Sequence, residues 1–416
     1  MRTTILTIGD ELLIGQIVDS NAAWIGERLT EIGIRPVRKE TVGDEKALMR
    51  EALERGMVQG RTVIMTGGLG PTHDDLTRDV LSETFGVALL EQPEIVEHIR
   101  RRFERRDMEM PRSNRVQALV PEGFEAILNQ AGTAPALIGT YDHPEGRGLV
   151  AALPGVPYEM KAFMSEHVLP RLLSLEGAPN VRHKTLLTVG VSESALADHL
   201  GQVEEYLGGG VGLAFLPNLR GVRLRLTAVG DVEDRYAALE AYIRENAGRW
   251  IYGEGDETLE EVVGRMLERR HLTVATAESC TGGYVAHRLT NVAGSSEWVL
   301  GGIVSYANEL KEQHLGVSAE TLSEDGAVSR QTACAMAEGV RNRFGSDVGI
   351  STTGIMGPGG GTPSKPVGTF WMGIATTERT VAIKLQLGTD RLRNKERAST
   401  AVLDLLRQVL IKQDEA

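Results

Sequence analysis

The stretch LTVATAESCTGG, residues 272–283, decides the fold of the second half of the chain. Its first five residues, Leu272–Thr276, are apolar or β-branched, which predicts a buried strand. A polar turn follows, and Gly282-Gly283 then open a helix. A strand that runs through a short turn into a helix is typical of a parallel sheet covered by helices. The stretch therefore predicts an α/β domain with Ser279 at the carboxyl edge of the sheet.

The same alternation continues to the end of the chain. The pattern predicts helix Glu257–Arg270, strand Leu272–Thr276, strand Val299–Ser305, helix Ser329–Phe344, strands Val348–Thr352, Thr369–Ala375 and Val381–Leu387, and a helix from Asp390 to about Gln408. Gly253-Glu254-Gly255 indicates a flexible joint ahead of these elements. We expect a C-terminal α/β/α domain over residues 255–416.

Strands and helices also alternate through the first 170 residues. The predicted strands are Thr3–Ile8, Arg61–Thr66 and Leu149–Leu153. Apolar residues at steps of three and four from Ala22 to Ile32 predict an amphipathic helix. We expect a three-layer α/β/α domain over residues 1–172.

Residues 173–254 have a different pattern, which indicates a small α+β module. The predicted elements are strands Lys184–Val189 and Val222–Val229, a short helix near Ser194–Leu207 and a helix at Glu233–Asn246. A length of 416 residues exceeds one ordinary core and agrees with several domains.

Charge and cysteine content exclude several classes of protein. The chain carries 57 acidic against 45 basic side chains, a net charge of −12, so no nucleic-acid partner is expected. The basic cluster Arg100–Arg102 with Arg105 and Arg106 has helical spacing, which indicates a solvated helix face. Cys280 and Cys334 are too few for a zinc tetrad or a disulfide framework. No apolar run approaches the ~20 residues of a membrane span, and the start lacks a targeting pattern, so we expect a cytoplasmic protein.

Ser279 is a candidate nucleophile, and a serine hydroxyl needs a base to remove its proton. No histidine adjoins it, because His287 lies on the following helix and His314 lies after the next strand. Lys311 follows that strand, and a buried lysine can lose its proton because desolvation penalises the ammonium form. Tyr306 would relay the proton or orient the base.

Two alternatives stay open at this turn. Ser279 would otherwise serve only to cap the following helix. Cys280 is a rival nucleophile, since thiolates are intrinsically stronger, or else a small buried apolar residue.

A third strand end is followed by the glycine-rich segment STTGIMGPGGGT, residues 351–362. Glycine allows the backbone to approach a ligand closely. Thr353 and neighbouring amides would bind an oxyanion or a phosphate. Lys365, Arg391 and Arg393 would add positive charge or be solvated surface residues.

The stretches AESCTGG, VSYANELK, STTGIMGPGGGTPSKPVGT and GTDRLRNKER resemble the C-terminal amidase domain of the CinA family. The resemblance implies a nicotinamide mononucleotide deamidase, which makes nicotinic acid mononucleotide and ammonia without a cofactor. The family's serine, lysine, tyrosine and oxyanion-side threonine fall on Ser279, Lys311, Tyr306 and Thr353. The predicted substrate-binding residues are Gly282, Gly283, Asn308, Gly354, Gly357, Gly359, Gly360 and Arg391.

The N-terminal half has its own candidate site around GGLGPTHDD, residues 67–75. Glycine amides at the start of a helix favour a phosphate. Asp74 and Asp75 suit a divalent metal that bridges phosphate oxygens, or one of them caps the helix. Asp10 lies at a neighbouring strand end, so these three carboxylates are the predicted metal ligands. The predicted ligand-binding residues are Gly9, Asn21, Gly67, Gly68, Gly70, Thr72, Pro154, Gly155 and Glu159.

TIGDELL, GGLGPTHDD and LPGVPYEM resemble the molybdopterin-binding-like N-terminal domain of the same family. That resemblance implies hydrolysis of ADP-ribose to AMP and ribose 5-phosphate with Mg²⁺, Mn²⁺ or Co²⁺. The middle module resembles the family's KH-type domain; it lacks a well-placed GXXG loop, so a structural or dimerising role is expected.

We therefore expect a bifunctional enzyme of pyridine-nucleotide recycling, a homodimer whose partners are small-molecule nucleotides and not membranes. The alternatives are a molybdopterin-related binding protein and a competence or DNA-repair accessory factor.

Overall fold

The computed structural model describes residues 2–34, 36–176 and 181–414. The chain divides into two compact units, Met1–Arg182 with Val229–Asp231 and His183–Ala228 with Val232–Ala416. Within the described residues, we find no helix with the length and apolar character that a membrane crossing requires.

Unit 1 is built on a mixed sheet with helices on both faces. Its strands are β1 (Thr3–Ile8), β2 (Pro36–Val42), β3 (Thr62–Thr66), β4 (Leu89–Glu91), β5 (Leu119–Pro121), β6 (Glu125–Ile127), β7 (Ala136–His143) and β8 (Gly146–Leu153). Its helices are α1 (Asp10–Leu13), α2 (Ser20–Glu31), α3 (Lys46–Gln59), α4 (Thr77–Phe85), α5 (Pro93–Glu104), α6 (Pro157–Phe163) and α7 (Leu169–Glu176), with a 3-10 segment at Arg112–Ala118 and a π-helical turn at Met164–Val168. The main sheet has the order β2-β1-β3-β8-β7-β6, and a small separate sheet pairs β4 with β5.

Neighbouring residues of β1 face opposite sides of this sheet, as the period of two in a strand requires. Ile5 lies in one core with Ile25 and Leu29 of α2. Leu6 lies in the other core with Met49 of α3. The strands β2, β1, β3 and β8 are parallel, whereas β7 and β6 are antiparallel additions. The predicted three-layer α/β/α fold is confirmed.

The elements from residue 181 onward form two further sheets and their helices. The strands are β9 (Val181–Thr188), β10 (Val211–Pro217), β11 (Val222–Val229), β12 (Ile251–Glu254), β13 (Val274–Glu278), β14 (Val299–Val304), β15 (Val348–Gly354), β16 (Thr369–Ala375) and β17 (Thr380–Gln386). The helices are α8 (Glu193–His199), α9 (Glu233–Ala247), α10 (Leu259–Arg269), α11 (Tyr284–Thr290), α12 (Asn308–Leu315), α13 (Ala319–Glu324), α14 (Arg330–Phe344) and α15 (Arg391–Asp414), with 3-10 turns at Val203–Tyr206, Gly248–Trp250 and Ser295–Glu297.

The middle module is a four-stranded sheet in the order β10-β11-β9-β12, and the C-terminal sheet has the order β14-β13-β15-β16-β17. In the C-terminal sheet, β13 is parallel to both β14 and β15, and β16 and β17 are antiparallel. Val274 packs in one core with Leu406 of α15. Ala275 packs in the opposite core with Met336 and Val340 of α14. The C-terminal α/β/α fold and the KH-type middle fold agree with the predictions.

The middle module and the C-terminal domain belong to one compact unit because residues from both pack in a shared core and form an ion pair. Val189, at the end of β9, belongs to the same core as Leu259 of α10. Arg220 donates to the Glu396 carboxylate on α15 at 2.6 Å. This contact joins the hairpin between β10 and β11 to the first turns of α15.

Two predicted elements differ from the structure. The single helix near Ser194–Leu207 is wrong, since α8 ends at His199 and only a 3-10 turn follows at Val203–Tyr206. The strand predicted at Leu272–Thr276 is shifted by two residues, because Glu278 completes the ladder with both neighbouring strands. Ser279 therefore follows the last strand residue directly.

Gly339 of α14 packs closely against the backbone of Leu315, the last residue of α12. A Cβ added there would lie 1.9 Å from the carbonyl oxygen of Leu315, which is backbone and cannot rotate away. We expect Gly339→Ala to lower the free energy of unfolding by about 1–3 kcal/mol through overpacking. Exposed Glu338 is the matched control, and Glu338→Ala should change stability by less than ~0.5 kcal/mol. Equal chemical denaturation midpoints for both variants would contradict the packing.

Candidate functional site

Three parallel strand ends meet at one edge of the C-terminal sheet. Glu278, the last residue of β13, pairs with Val304 of β14 and with Thr352 of β15. The next residue continues the contact, because the Ser279 N–H donates to the Thr352 carbonyl at 2.9 Å. Likewise the Ser305 N–H donates to the Glu278 carbonyl at 2.8 Å. The predicted residues that follow these strands therefore share one edge.

Glu278 is the residue that shapes this edge, and the sequence analysis missed it. Its carboxylate is 1% exposed. It accepts hydrogen bonds from the Thr281 hydroxyl at 2.6 Å and from the N–H groups of Gly283, Val285 and Ala286 at 3.0, 3.0 and 2.7 Å. A negative charge at a helix N-terminus is stabilised by the unpaired N–H groups there. Glu278 thus fixes the turn that carries Ser279.

Ser279 itself is partly exposed, and its hydroxyl makes no hydrogen bond to the described residues. The alternative role of Ser279 as a helix cap is wrong, because Gly283 occupies the cap position and Glu278 accepts from the first N–H groups of α11. Cys280 beside it is buried, and burial raises the pKa of its thiol. The thiol therefore stays protonated at neutral pH, which weakens it as a rival nucleophile.

Lys311 lies inside the same edge, with 1% of its surface exposed. Its amino group donates to the Ser305 carbonyl at 2.8 Å and approaches the carbonyls of Tyr306 and Ala307 at 3.3 and 3.5 Å. Burial lowers the pKa of this amine. No hydrogen bond joins the Lys311 amine to the Ser279 hydroxyl. The structure brings the two residues to neighbouring strand ends without linking them directly.

Tyr306 and Arg391 form a second pair on this edge. Tyr306 is exposed, with 61% of the residue's surface open to solvent. Arg391 donates one N–H to that hydroxyl at 2.9 Å and another to the Gly357 carbonyl at 3.1 Å. Gly357 has a φ of 87°, and a Cβ there would lie 2.6 Å from the Thr389 carbonyl, so only glycine fits. Arg391 therefore joins the tyrosine loop to the glycine-rich segment.

Thr353 is buried, and its hydroxyl donates to the Ala327 carbonyl at 2.6 Å. Its one hydroxyl hydrogen is thus already used within the fold. Lys365 donates to the Asp325 carbonyl at 2.6 Å, so it anchors a loop. Of the remaining predicted positions, Gly354 is the last residue of β15, Asn308 is the first residue of α12, Gly359 and Gly360 follow β15, and Arg393 lies at the start of α15.

Two further polar groups at this edge were not predicted. The Lys395 amine lies 3.4 Å from the position that a Cβ on Gly282 would occupy, so it faces the nucleophile turn. The Ser305 hydroxyl is fully buried and has no hydrogen-bond partner among the described residues. Lys395 stands in a charged helical pattern, RLRNKER, that does not distinguish it from solvated neighbours.

Unit 1 contains a cavity of about 670 Å³ at the ends of β1, β3 and β8. Most of the predicted N-terminal residues line it: Gly9, Asn21, Gly67, Gly68, Gly70, Asp74, Asp75, Pro154, Gly155 and Glu159. Asp10 and Thr72 are not part of its lining. The Asn21 amide donates to the Gly155 carbonyl at 2.7 Å and to the Thr66 hydroxyl at 3.2 Å, which holds two walls together.

The predicted metal ligands do not come together as one set. Asp75 accepts from the Gly70 and Thr72 N–H groups at 2.7 and 2.8 Å, so its carboxylate closes the glycine turn. Neither Asp74 nor Asp75 caps α4, since Leu76 occupies that position. The Asp10 N–H instead donates to the Asp44 carboxylate at 3.0 Å, and the Asp44 N–H donates to the Asp10 carboxylate at 3.3 Å.

Asp44 is a carboxylate of this cavity that the sequence analysis missed. Burial raises the pKa of its carboxyl, and the charges of Asp10, Glu11 and Asp74 act in the same direction. Such crowding is the chemistry of a cation-binding surface. As placed, however, no group of three or more acidic, histidine or cysteine side chains in the described ranges is arranged to hold a metal ion. The donor geometry does not fit a resident metal in this structure.

These observations define a class: a three-part chain with two α/β/α domains, each with a polar strand edge, and a KH-type module. Residues 256–410 match the CinA C-terminal domain family, residues 4–174 the probable molybdopterin binding domain family, and residues 183–253 the damage-inducible protein CinA KH domain family.

Similar proteins extend over the whole chain. A CinA-like protein of Salinibacter ruber is 48% identical over 413 residues, which cover 99% of this chain and 100% of that protein. A CinA-like protein of Chloroherpeton thalassium is 44% identical, with 99% of each chain covered. The crystal structure of competence/damage inducible protein CihA from Agrobacterium tumefaciens is 37% identical and has a TM-score of 0.35, with 37% of this chain and 96% of that chain covered. The chain belongs to the CinA family.

Glu278→Gln tests how the nucleophile turn is held. The amide NH₂ would face N–H donors, and the charge at the start of α11 would be lost. We expect the free energy of unfolding to fall by about 3 kcal/mol, because several charge-assisted hydrogen bonds to a buried group are removed. Glu309→Gln, on the exposed surface of α12, is the control and should be nearly neutral. Indistinguishable denaturant midpoints would show that Glu278 does not hold the turn.

Proposed function

We propose that the C-terminal domain hydrolyses the carboxamide of nicotinamide mononucleotide to nicotinic acid mononucleotide and ammonia. The observation that carries the proposal is the placement of Ser279 and the buried Lys311 amine at adjacent ends of β13 and β14. A partly exposed serine and a buried amine with a lowered pKa at neighbouring strand ends are the two groups that a serine–lysine hydrolase requires. Membership of the CinA family supports the same assignment.

The proposed reaction has two halves. The Ser279 oxygen attacks the carboxamide carbon while Lys311, in its neutral form, takes the hydroxyl proton. When the tetrahedral intermediate collapses, that proton passes to the departing nitrogen, which leaves as ammonia. Water then attacks the acyl-enzyme ester and gives its proton to Lys311, so the carboxylic acid is released and Ser279 regains its proton. The hydroxyl must first come within reach of the amine, a rearrangement that substrate binding would supply.

Other groups at this edge are suited to bind the nucleotide. Arg391 and Lys395 place two cations beside the glycine-rich segment and the nucleophile turn, where a phosphate would be neutralised. Backbone N–H groups of the glycine-rich segment after Ile355 are better oxyanion donors than the Thr353 hydroxyl, because that hydroxyl already donates to Ala327 and the Ile355 N–H already donates to Thr369. Tyr306, held by Arg391, is placed to orient the substrate.

A second function is proposed for unit 1, namely hydrolysis of ADP-ribose to AMP and ribose 5-phosphate. The observation that favours it is the 670 Å³ cavity, whose glycine turn and carboxylates suit a phosphorylated ligand. Dependence on Mg²⁺, Mn²⁺ or Co²⁺ is part of the proposal. Since the carboxylates as placed do not complete a metal site, we assign no catalytic step to a cation.

The two alternatives are a molybdopterin-related binding protein and a competence or DNA-repair accessory factor. The family that residues 4–174 match is described as a probable molybdopterin binding domain, which favours the first alternative. The family that residues 183–253 match is described as damage-inducible, which favours the second. Neither alternative requires turnover of a small molecule. Release of ammonia from nicotinamide mononucleotide therefore separates the leading proposal from both.

Ser279→Ala and Lys311→Ala should each reduce kcat/KM for ammonia release by roughly 10³-fold or more. Because the two residues act as a unit, the double variant should be little worse than either single one. The wild-type kcat/KM should rise with pH as Lys311 loses its proton, and burial places that rise below the pH of an ordinary lysine. Ammonia release measured by a coupled assay across pH gives both results.

Cys280→Ala is the matched control for the neighbouring thiol. It should keep turnover within a few-fold of the wild type. Near-normal turnover in Ser279→Ala together with loss in Cys280→Ala would transfer the nucleophile to the cysteine.

Asp10→Asn should lower ADP-ribose hydrolysis several-fold, because Asp10 is the charged neighbour of the cavity-lining Asp44, and should leave ammonia release unchanged. The substitution removes one negative charge from the Asp10–Asp44 pair. Asp142→Asn, on the exposed part of β7 and outside the cavity lining, is the control. Both activities are measured on the same preparations, with and without divalent cations. Hydrolysis at the wild-type rate in Asp10→Asn would separate this carboxylate pair from the reaction.

A further inference from the structure

The arginine cluster on and after α5 divides into two groups with different surroundings. Arg100 pairs with Glu97 and Glu104 at 2.6 and 2.8 Å, and Arg101 pairs with Glu97 at 2.7 Å. These are exposed ion pairs at helical spacing, as the sequence predicts, and they contribute little to stability. Arg105 and Arg106 are exposed as well, in agreement with the predicted solvated face, whereas Arg102 is half-buried.

Arg102 and Arg106 line the cavity of unit 1 instead. Arg102 lies in the last turn of α5, and Arg106 follows the end of that helix. Arg102 donates to the backbone carbonyls of Gln130, at 3.0 Å, and Ala131, and it has no carboxylate within 4 Å. The Arg106 guanidinium makes no ion pair or side-chain hydrogen bond with any residue that the structure describes.

The wall that positions Arg102 is held from behind by Asn129, which is 2% exposed. The Asn129 side-chain oxygen accepts from the N–H groups of Ala131 and Gly132 at 2.9 and 2.7 Å. Its amide donates to the Glu159 carboxylate at 2.6 Å. Arg102 therefore rests on an ordered loop, so little rotamer entropy is left to lose when a ligand binds.

The charges of both arginines reach the cavity lining. The pKa of the Tyr158 hydroxyl is raised chiefly by its hydrogen bond to Glu159, and Arg102 and Arg106 oppose that rise. The same cavity contains several carboxylates, yet neither arginine forms an ion pair with one. Guanidinium groups that face a cavity and are left without carboxylate partners are available to an anionic ligand.

We infer that Arg102 and Arg106 bind a phosphate group of the ligand that occupies the N-terminal cavity. The ligand class is then a phosphate monoester or a diphosphate, whose oxygens match the guanidinium fork. This inference rests on the proposed function of unit 1 as a nucleotide site. It adds binding residues to that site that neither the glycine turn nor the carboxylates supply.

The test is calorimetric titration of the full chain, with a chelator present to suppress turnover. The probes are ADP-ribose, AMP and adenosine, of which only the last lacks phosphate. The wild type should bind AMP at least about tenfold more tightly than adenosine, as expected for charge-assisted hydrogen bonds to phosphate. Arg106→Ala should remove most of this difference, and Arg106→Lys should retain part of it.

Arg106→Ala is the informative variant because its guanidinium holds no described element in place, whereas Arg102→Ala also releases the loop at Gln130. Arg101→Ala is the control and should bind AMP as the wild type does. Melting temperatures confirm that each variant is folded.

The inference is overturned if Arg106→Ala and Arg102→Ala both bind AMP with wild-type affinity, or if the wild type binds adenosine as tightly as AMP. A separate hydrolysis assay distinguishes this failure from that of the proposed function. Phosphate-dependent binding that requires Arg106, without ADP-ribose cleavage, would sustain the inference and refute the diphosphatase activity. Cleavage of ADP-ribose together with unchanged AMP affinity in the arginine variants would support the diphosphatase activity and refute the inference.

Discussion

The parallel pairing of β13 with β14 on one side and β15 on the other is the constraint on which the C-terminal site depends. Residues that are far apart in sequence meet because these three strands end at the same edge. The pairing runs through Glu278, whose backbone continues the ladder and whose carboxylate accepts the first N–H groups of α11. One residue thereby fixes both the end of a strand and the start of a helix. Ser279 lies between them, held by its backbone N–H and partly exposed.

Strong hydrophobic patterns made most of the fold predictable. Thr3–Ile8 is buried throughout and was predicted to the residue, as was Thr369–Ala375. Strands without a continuous apolar run were not predicted. β2 has the sequence PVRKETV at the edge of its sheet, where polar side chains face solvent, so no continuous apolar run marks it. The shift of β13 has another cause. Glu278 is a charged residue inside the ladder, and its burial is made favourable by hydrogen bonds from the following turn and the first N–H groups of α11, which a hydrophobic pattern does not contain.

The sequence predicted where most candidate site residues lie, but it did not predict which partners their side chains bind. Residues after strands were identified from the alternation, and the structure places Ser279, Tyr306 and Lys311 on one edge accordingly. The hydrogen-bond partner of each side chain depends on distances between folded segments, and the pattern of residues along the chain does not give those distances. Arg391 binds the Tyr306 hydroxyl across 85 residues, and Asp75 turns back to its own glycine loop. The division of the α5 arginines has the same origin, because identical side chains on one segment meet different neighbours.

We propose that this member of the CinA family releases ammonia from a nucleotide carboxamide by serine chemistry. The most direct measurement is product analysis after the purified full chain is incubated with nicotinamide mononucleotide in excess chelator. We expect ammonia and nicotinic acid mononucleotide in equal amounts, since no metal takes part in the proposed steps. Absence of ammonia, or formation of free nicotinamide and ribose 5-phosphate instead, would contradict it.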